Sequence, residues 1–354
     1  MSRFICVRYK DFQSYTPGEQ PLDVEYVKLN TNESPFPPAP GVISCLDESN
    51  IERLRLYPDP TGFNLKKKIA ALYDVEPESV FLSNGSDEIL NFAVMAFSDE
   101  DDHLLFPEIT YSFYDVIADL HNVKYCKVPL KCDMCIDCKD YCGDEGNIII
   151  ANPNAPTGIA LTIEQIEEIA KSNPNHVVLI DEAYVDFGAQ SAVPLTKEYD
   201  NILVSQTFSK SRSFAGGRLG FAIGNKELID DLTKIQYSTN PYNVNSMSLI
   251  MGEAAIDEDD YYQENNKIIV ENREYTTEKL REIGFDVLQS KANFVFARHD
   301  QISGEMLYQK LKNNGILVRH FASEQIKDYV RITIGLKKQM DILLEKLNYI
   351  LQEV

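Results

Sequence analysis

From about residue 65 the chain alternates two hydrophobic rhythms. LKKKIAALYDV, SDEILNFAVMAF, SFYDVIADLHN and TIEQIEEIAKS read as helices. Between them stand short apolar runs: SVFLS, HLLFP, VKYCKVPL, NIIIANP, HVVLID, NILVSQTFS and GRLGFAIG. Runs such as IIIA and VVLI suit strands buried on both faces of a sheet. Alternating helices and strands predict a mostly parallel α/β sheet with helices on both sides. Residues 244–283 read as long helices with acidic interruptions. After them GFDVLQS, ANFVFAR, MLYQKLKNNG, ILVRHF, YVRITIG and the helix MDILLEKLNYILQ form a second, smaller α/β pattern. The expected division is an N-terminal arm over 1–40 packing with the small domain, a large domain over 41–243, and linking helices with the small domain over 244–354. TNESPFPPAP, at 31–40, is Pro-rich and reads as irregular.

In open α/β sheets ligands bind beyond the carboxyl ends of the strands. That rule selects the residues that follow each apolar run. HVVLI leads into Asp181-Glu182-Ala183-Tyr184, and NIIIA into NPNAPTG at 152–158. ILVSQTF leads into Ser209-Lys210 and then Gly216-Gly217-Arg218; VFLS leads into Asn84-Gly85-Ser86-Asp87 and a helix. Such a set can hold pyridoxal phosphate. An amine such as Lys210 can form a Schiff base with the aldehyde. A buried Asp181 can pair with the pyridine nitrogen and keep it protonated. Tyr184 and an Asn can bond the ring hydroxyl. Arg218, Ser209, Thr207 and the backbone N–H groups at Gly85-Ser86-Asp87 can hold the phosphate, because a helix start with small residues favours anions. Taken singly, each feature has an ordinary reading: a solvated lysine, a helix cap, a turn. Order and location together carry the signal.

Those motifs resemble, over nearly the whole chain, the fold-type I pyridoxal-phosphate-dependent aminotransferases, and within them the histidinol-phosphate aminotransferases. LNTNESPFPP, LYPDPTG, SNGSDEIL, ITYSFY, NPNAPTG, DEAYVDF, TFSKSRSFAGGRLGF, ANFVFAR and VRITIG carry the likeness in order. The resemblance implies a large sheet domain with a smaller α/β domain. It implies Lys210 as the Schiff-base lysine and proton shuttle, Asp181 on the pyridinium, Tyr184 on the ring hydroxyl and Tyr111 stacked on the ring. Gly85, Ser86, Asp87, Thr207, Ser209 and Arg218 would hold the phosphate. The family has Asn directly before Pro-Thr-Gly where this chain has Ala155, so the neighbouring Asn154 is expected to supply the amide. Asn32, Tyr15, Arg319 and Arg331 are expected at the substrate, with Tyr57 reaching in from a partner subunit, which implies a homodimer. The implied reaction converts L-histidinol phosphate and 2-oxoglutarate to imidazole acetol phosphate and L-glutamate, run in reverse for histidine biosynthesis. A threonine-phosphate decarboxylase or an aromatic aminotransferase shares the cofactor motifs.

Charge narrows the partners. The 354 residues carry 55 acids against 34 bases, a net charge of −21. That excess repels phosphate backbones and anionic lipid, so nucleic-acid or membrane binding is not expected. A small local basic pocket remains compatible with it. No apolar run reaches membrane-spanning length, and the first residues lack a secretory signal. A cytoplasmic protein with reduced thiols is expected, and seven cysteines fit no closed disulfide set.

One segment points elsewhere. CDMCIDCKDYC places Cys132, Cys135, Cys138 and Cys142 at the spacing of a ferredoxin cluster run. A metal or redox protein is therefore a reading from a different class. Against it, Gly143 stands where that run has proline, there is no second run, and Asp133, Asp137 and Asp140 add negative charge. The segment is expected to be a peripheral loop with exposed thiols and no metal.

Overall fold

The computed structural model describes residues 2–21, 25–99, 103–143 and 145–353. Among them, strands run in chain order as β1 (Val27–Lys28), β2 (Val80–Ser83), β3 (His103–Pro107), β4 (Tyr125–Val128), β5 (Gly146–Ala151), β6 (Val178–Asp181), β7 (Ile202–Thr207), β8 (Gly220–Gly224), β9 (Asp286–Val287), β10 (Phe294–Arg298), β11 (Ile316–Leu317), β12 (Arg319–His320) and β13 (Tyr329–Thr333). A seven-stranded sheet takes the order β2-β8-β7-β6-β5-β3-β4. β3, β4, β5, β6 and β7 pair parallel, while β8 runs antiparallel to both β7 and β2. β2, β5, β6, β7 and β8 are buried along their whole length, as their unbroken apolar runs predict.

Helices Phe63–Tyr73 and Ile163–Ser172 join one apolar cluster with sheet side chains such as Ile148, Ile150, Ile180 and Val204. Helices Ser86–Phe97 and Phe113–His121 join another with the alternate side chains Ile149, Leu179 and Leu203. Period-two alternation along buried strands thus feeds two cores, one on each face. The Lys226–Thr239 helix belongs to the second layer through Ile229 and Leu232. The sequence reading passes over that helix.

β12, β13, β10 and β9 form a four-stranded antiparallel sheet, packed with the helices Gly304–Asn313 and Lys337–Gln352 around Val295, Ile332, Leu307 and Leu343. The N-terminal stretch enters this region: β1 pairs parallel with β11, and Leu29 lies in the same core. ILVRHF, read as one strand, is two. Ile316–Leu317 pairs with β1, and Arg319–His320 turns to pair with β13. The Asp259–Glu282 helix leads from the large sheet to this second core. No helix among the described residues is long and apolar enough to cross a membrane.

Candidate active site

The parallel strands bring their carboxyl ends to one edge. In register, Ala151 stands beside Asp181 and Asp181 beside Ser205; Thr207 stands beside Gly220 and Gly220 beside Ser83. Beyond this edge, and under the second sheet, lies a cavity of about 520 Å³. Its walls include Ser86, Asp87, Tyr111, Asp181, Tyr184, Thr207, Ser209, Lys210 and Arg218 from the large sheet's loops. Tyr15, Asn32, Arg319 and Arg331 line it from the other side.

Lys210 sits in a tight loop after β7, closed by Phe208 N–H donating to Leu219 O and Phe214 N–H donating to Phe208 O. Its ammonium donates to Thr31 O at 3.2 Å and lies 5.8 Å from the Tyr184 ring centre. Asp181, 4% exposed, ends β6. Its Oδ2 accepts from Tyr114 Oη at 2.9 Å, while Oδ1 is buried with no hydrogen-bond partner in the protein. Burial pushes this carboxyl up to about 6, against the Tyr114 hydrogen bond, which lowers it. A buried carboxylate oxygen without a hydrogen-bond donor suits a protonated ring nitrogen. Tyr184 Oη accepts from Asn32 Nδ2 at 3.0 Å, and Asn32 is itself fixed by Thr333.

At the start of the Ser86–Phe97 helix, two glycines, two hydroxyls and Arg218 converge. Gly85 has φ +89, and a Cβ there would stand 2.6 Å from Arg218 Nη2. A Cβ on Gly220 would stand 2.7 Å from Gly85 C and Ser86 N. Both glycines are therefore needed for guanidinium, strand and helix start to approach so closely. Thr207 Oγ1 donates to Ser209 Oγ at 3.0 Å, and Arg218 Nη1 reaches Ser209 Oγ at 3.5 Å. Arg218 also pairs with Asp87 at 3.1 Å, and the other Asp87 oxygen accepts from Tyr111 Oη at 3.0 Å. Donors, an unpartnered carboxylate oxygen, an amine and a glycine-walled helix start fit pyridoxal phosphate.

Across the cavity, Arg319 on β12 is the direct cross-strand partner of Arg331 on β13. Arg331 Nη2 donates to Asn30 O at 3.0 Å, and its Nε is buried without a partner. Burial and the nearby Arg319 pull the Arg331 guanidinium below its ordinary range. Tyr15 packs edge-on against Tyr111 at 5.9 Å.

Two expected residues lie elsewhere, and a third feature needs correction. Asn154 turns away from the cavity: Nδ2 donates to Ile109 O and Thr157 Oγ1, and Oδ1 accepts from Thr110. Its amide holds the loop, and Ala155 takes the place on the cavity wall. Tyr57 is 81% exposed, stacked on Tyr242 at 4.6 Å and outside the cavity of its own chain. The cysteine loop is not uniformly exposed. Cys138 is buried in the core, donating to Glu168 at 3.4 Å, whereas Cys132 is exposed. No group of three or more metal-type side chains gathers among the described residues.

The sequence reading missed Tyr114 and Glu182. Tyr114 lies in the first turn of the Phe113–His121 helix, three residues after Tyr111, which precedes the helix and meets its ring edge-on. Glu182 neighbours Asp181 but points to the opposite side. There it accepts from Ser191 Oγ, Ala192 N and Gln206 Nε2, and burial pushes it up to about 7.

Comparison with known proteins gives the family. Residues 24–347 match the family model "Aminotransferase class I and II". A histidinol-phosphate aminotransferase of Brachyspira hyodysenteriae is 52% identical over 99% of this chain and 100% of its own length. One from Clostridium beijerinckii is 45% identical over 99% and 98%. The crystal structure of the histidinol-phosphate aminotransferase from Clostridium acetobutylicum superposes with a TM-score of 0.85 at 27% identity, covering 92% of this chain and 99% of that one. The Sinorhizobium meliloti enzyme, solved with pyridoxal-5'-phosphate, shares the fold with a TM-score of 0.85 at 21% identity, over 93% and 91%. By its match to the family model and its full-length likeness to these relatives, this chain belongs to the class I and II aminotransferases, pyridoxal-phosphate enzymes of fold type I.

Proposed function

We propose that this enzyme exchanges an amino group between L-histidinol phosphate and 2-oxoglutarate, forming imidazole acetol phosphate and L-glutamate, and works in reverse in histidine biosynthesis. The observation that carries this reading is the Arg319–Arg331 pair. Like charges directly opposite on neighbouring strands destabilise a sheet, so the pair is explained by an anion bound between them. Guanidinium groups bind both carboxylate and phosphate through paired N–H donors. One site can therefore take glutamate in one half-reaction and a phosphorylated amino alcohol in the other. The name shared by the full-length relatives supports the same substrate.

On this reading Lys210 would hold the aldehyde end of the cofactor, Asp181 Oδ1 the ring nitrogen and Tyr184 the ring hydroxyl, with Tyr111 along the ring. Gly85, Ser86, Asp87, Thr207, Ser209 and Arg218 would enclose its phosphate. Bound pyridoxal phosphate supplies an electron sink and an amino-group carrier. The chain does the rest. Lys210 Nζ takes the proton from the substrate α-carbon and returns one on the reverse path. Asp181 keeps a proton at the ring nitrogen. Arg319 and Arg331 orient the anionic end, Tyr15 and Asn32 border the substrate, and the cavity walls exclude water.

Residues 41–243 would form the cofactor-binding domain and 244–354, with the 1–40 arm, the domain that closes the site. We infer a cytoplasmic homodimer. Ile43, Leu46, Ile51, Leu54, Leu56 and Tyr57 are more than half exposed along one stretch, an apolar surface that a second copy would cover. Tyr57 then reaches the partner's cavity. The deciding assay gives the purified enzyme 2-oxoglutarate with L-histidinol phosphate, and in parallel runs L-threonine phosphate and phenylalanine. Turnover greatest with histidinol phosphate is expected; its absence overturns the assignment.

A further inference from the structure

Asp181 presents two oxygens in different surroundings. Oδ1 has no partner within the protein, and Oδ2 takes the Tyr114 hydroxyl at 2.9 Å. Tyr114 is fully buried on the Phe113–His121 helix. Phe106 and Tyr111 hold its ring edge-on at 5.9 and 5.7 Å. It does not line the cavity, although Tyr111 and Asp181 both do. Its hydroxyl therefore reaches the reaction only through Asp181. We propose that Tyr114 is a positioning residue for the transamination: it fixes the Asp181 carboxylate with Oδ1 toward the ring nitrogen and keeps the shared proton on the ring. This inference rests on the aminotransferase reading above.

Asp181 and the ring nitrogen share one proton between two sites. With the proton on nitrogen, Asp181 is a carboxylate and accepts the Tyr114 O–H as a charge-assisted bond. With the proton on Asp181, that bond reaches a neutral acid and is weaker. Tyr114 thus favours the charged ring, the form that draws electrons from the substrate α-carbon. The surroundings need such a counterweight. Burial drives Asp181 toward its neutral form, and Asp87, on the Ser86–Phe97 helix, pushes the same way; together with Tyr114, the Ala183 backbone N–H and Lys210 oppose them. Tyr114 itself stays protonated, because burial and Asp181, with Tyr111 and Tyr184 nearby, hold its hydroxyl well above the ordinary phenol range. It is a permanent donor across the working pH range.

The test compares holoenzymes carrying cofactor labelled with nitrogen-15 in the ring. In Tyr114→Phe the cofactor stays bound with its near-visible band, and the ring-nitrogen resonance moves toward the unprotonated position. kcat falls roughly 10- to 100-fold, the worth of one hydrogen bond to a charged group, with KM for both substrates nearly unchanged. In an Asp181→Asn background the same change adds little, because there is no carboxylate left to tune. A second variant, 3-fluorotyrosine placed at position 114, preserves the packing and makes the phenol a stronger donor. It moves the resonance toward the protonated side, and it decides the matter should Tyr114→Phe not fold. An unmoved resonance with wild-type kcat, or fully additive losses in the double variant, overturns the proposal. Failure of the wild-type enzyme to bind pyridoxal phosphate or transaminate would overturn the aminotransferase reading instead, before any variant is compared.

Discussion

At the scale of residues, two adjacent carboxyls in DEAY serve different ends. Asp181 faces the cavity and Glu182 the core, because successive side chains along a strand leave opposite faces. Glu182 makes a pH prediction. Its ordinary value of 4.5 is raised to about 7 in the folded chain, chiefly by burial. The folded state thus holds a proton that the unfolded state has already lost. Its contribution is fully present below pH 4.5 and is lost as pH rises through 7. Measured by denaturant unfolding of the apoprotein, the stability of wild type minus that of Glu182→Gln should fall by up to about 3 kcal/mol across that window. A flat difference would show that the three donors to Glu182 outweigh its burial. Lys210 makes the second prediction. Lys210→Ala should abolish the near-visible cofactor band and cut kcat by at least roughly 10²- to 10⁴-fold, the span of one positioned acid–base group. Retention of both would remove Lys210 from the chemistry.

At the scale of elements, β12 and β13 would present the proposed substrate anion site. Strand pairing, not sequence proximity, places Arg319 opposite Arg331. Arg331→Ala should raise KM for both glutamate and histidinol phosphate roughly 10- to 100-fold, as expected for loss of a charged hydrogen-bonding partner. Arg319→Ala should raise KM chiefly for the phosphorylated substrate. Steady-state kinetics on both substrates checks the split, and equal effects of Arg319→Ala on the two would refute it. The same region shows why ILVRHF was not legible as it folds. Its apolar residues suit one strand, but Ile316–Leu317 meets the N-terminal stretch and Arg319–His320 meets β13. Which partner claims each half depends on residues nearly 290 positions apart (Val27 and Ile316), a distance that local periodicity does not encode.

At the scale of the whole molecule, the cavity lies beyond the strand ends of the large sheet and under the second sheet, so its two sides come from distant parts of the chain. Tyr57 lies outside its own chain's cavity, which makes a prediction about assembly. Sedimentation should give twice the 40.2 kDa chain mass. Tyr57→Ala and Lys210→Ala homodimers should each be impaired. Mixing and re-associating them should restore activity in the hybrid, where one site holds both native residues. No recovery in verified hybrids would place Tyr57 outside the site.

The sequence alone determined the alternating architecture, the strand ends that carry Lys210, Asp181, Tyr184 and Arg218, and the family. Buried strands leave continuous apolar runs, and chemistry on such sheets gathers at their carboxyl ends. Only the tertiary structure decided the rest. It turned Asn154 away to brace its loop, drew Cys138 into the core beside Glu168, and set Tyr114 against Asp181. Each of these depends on which way a side chain points once distant elements pack, and a one-dimensional pattern does not contain that direction.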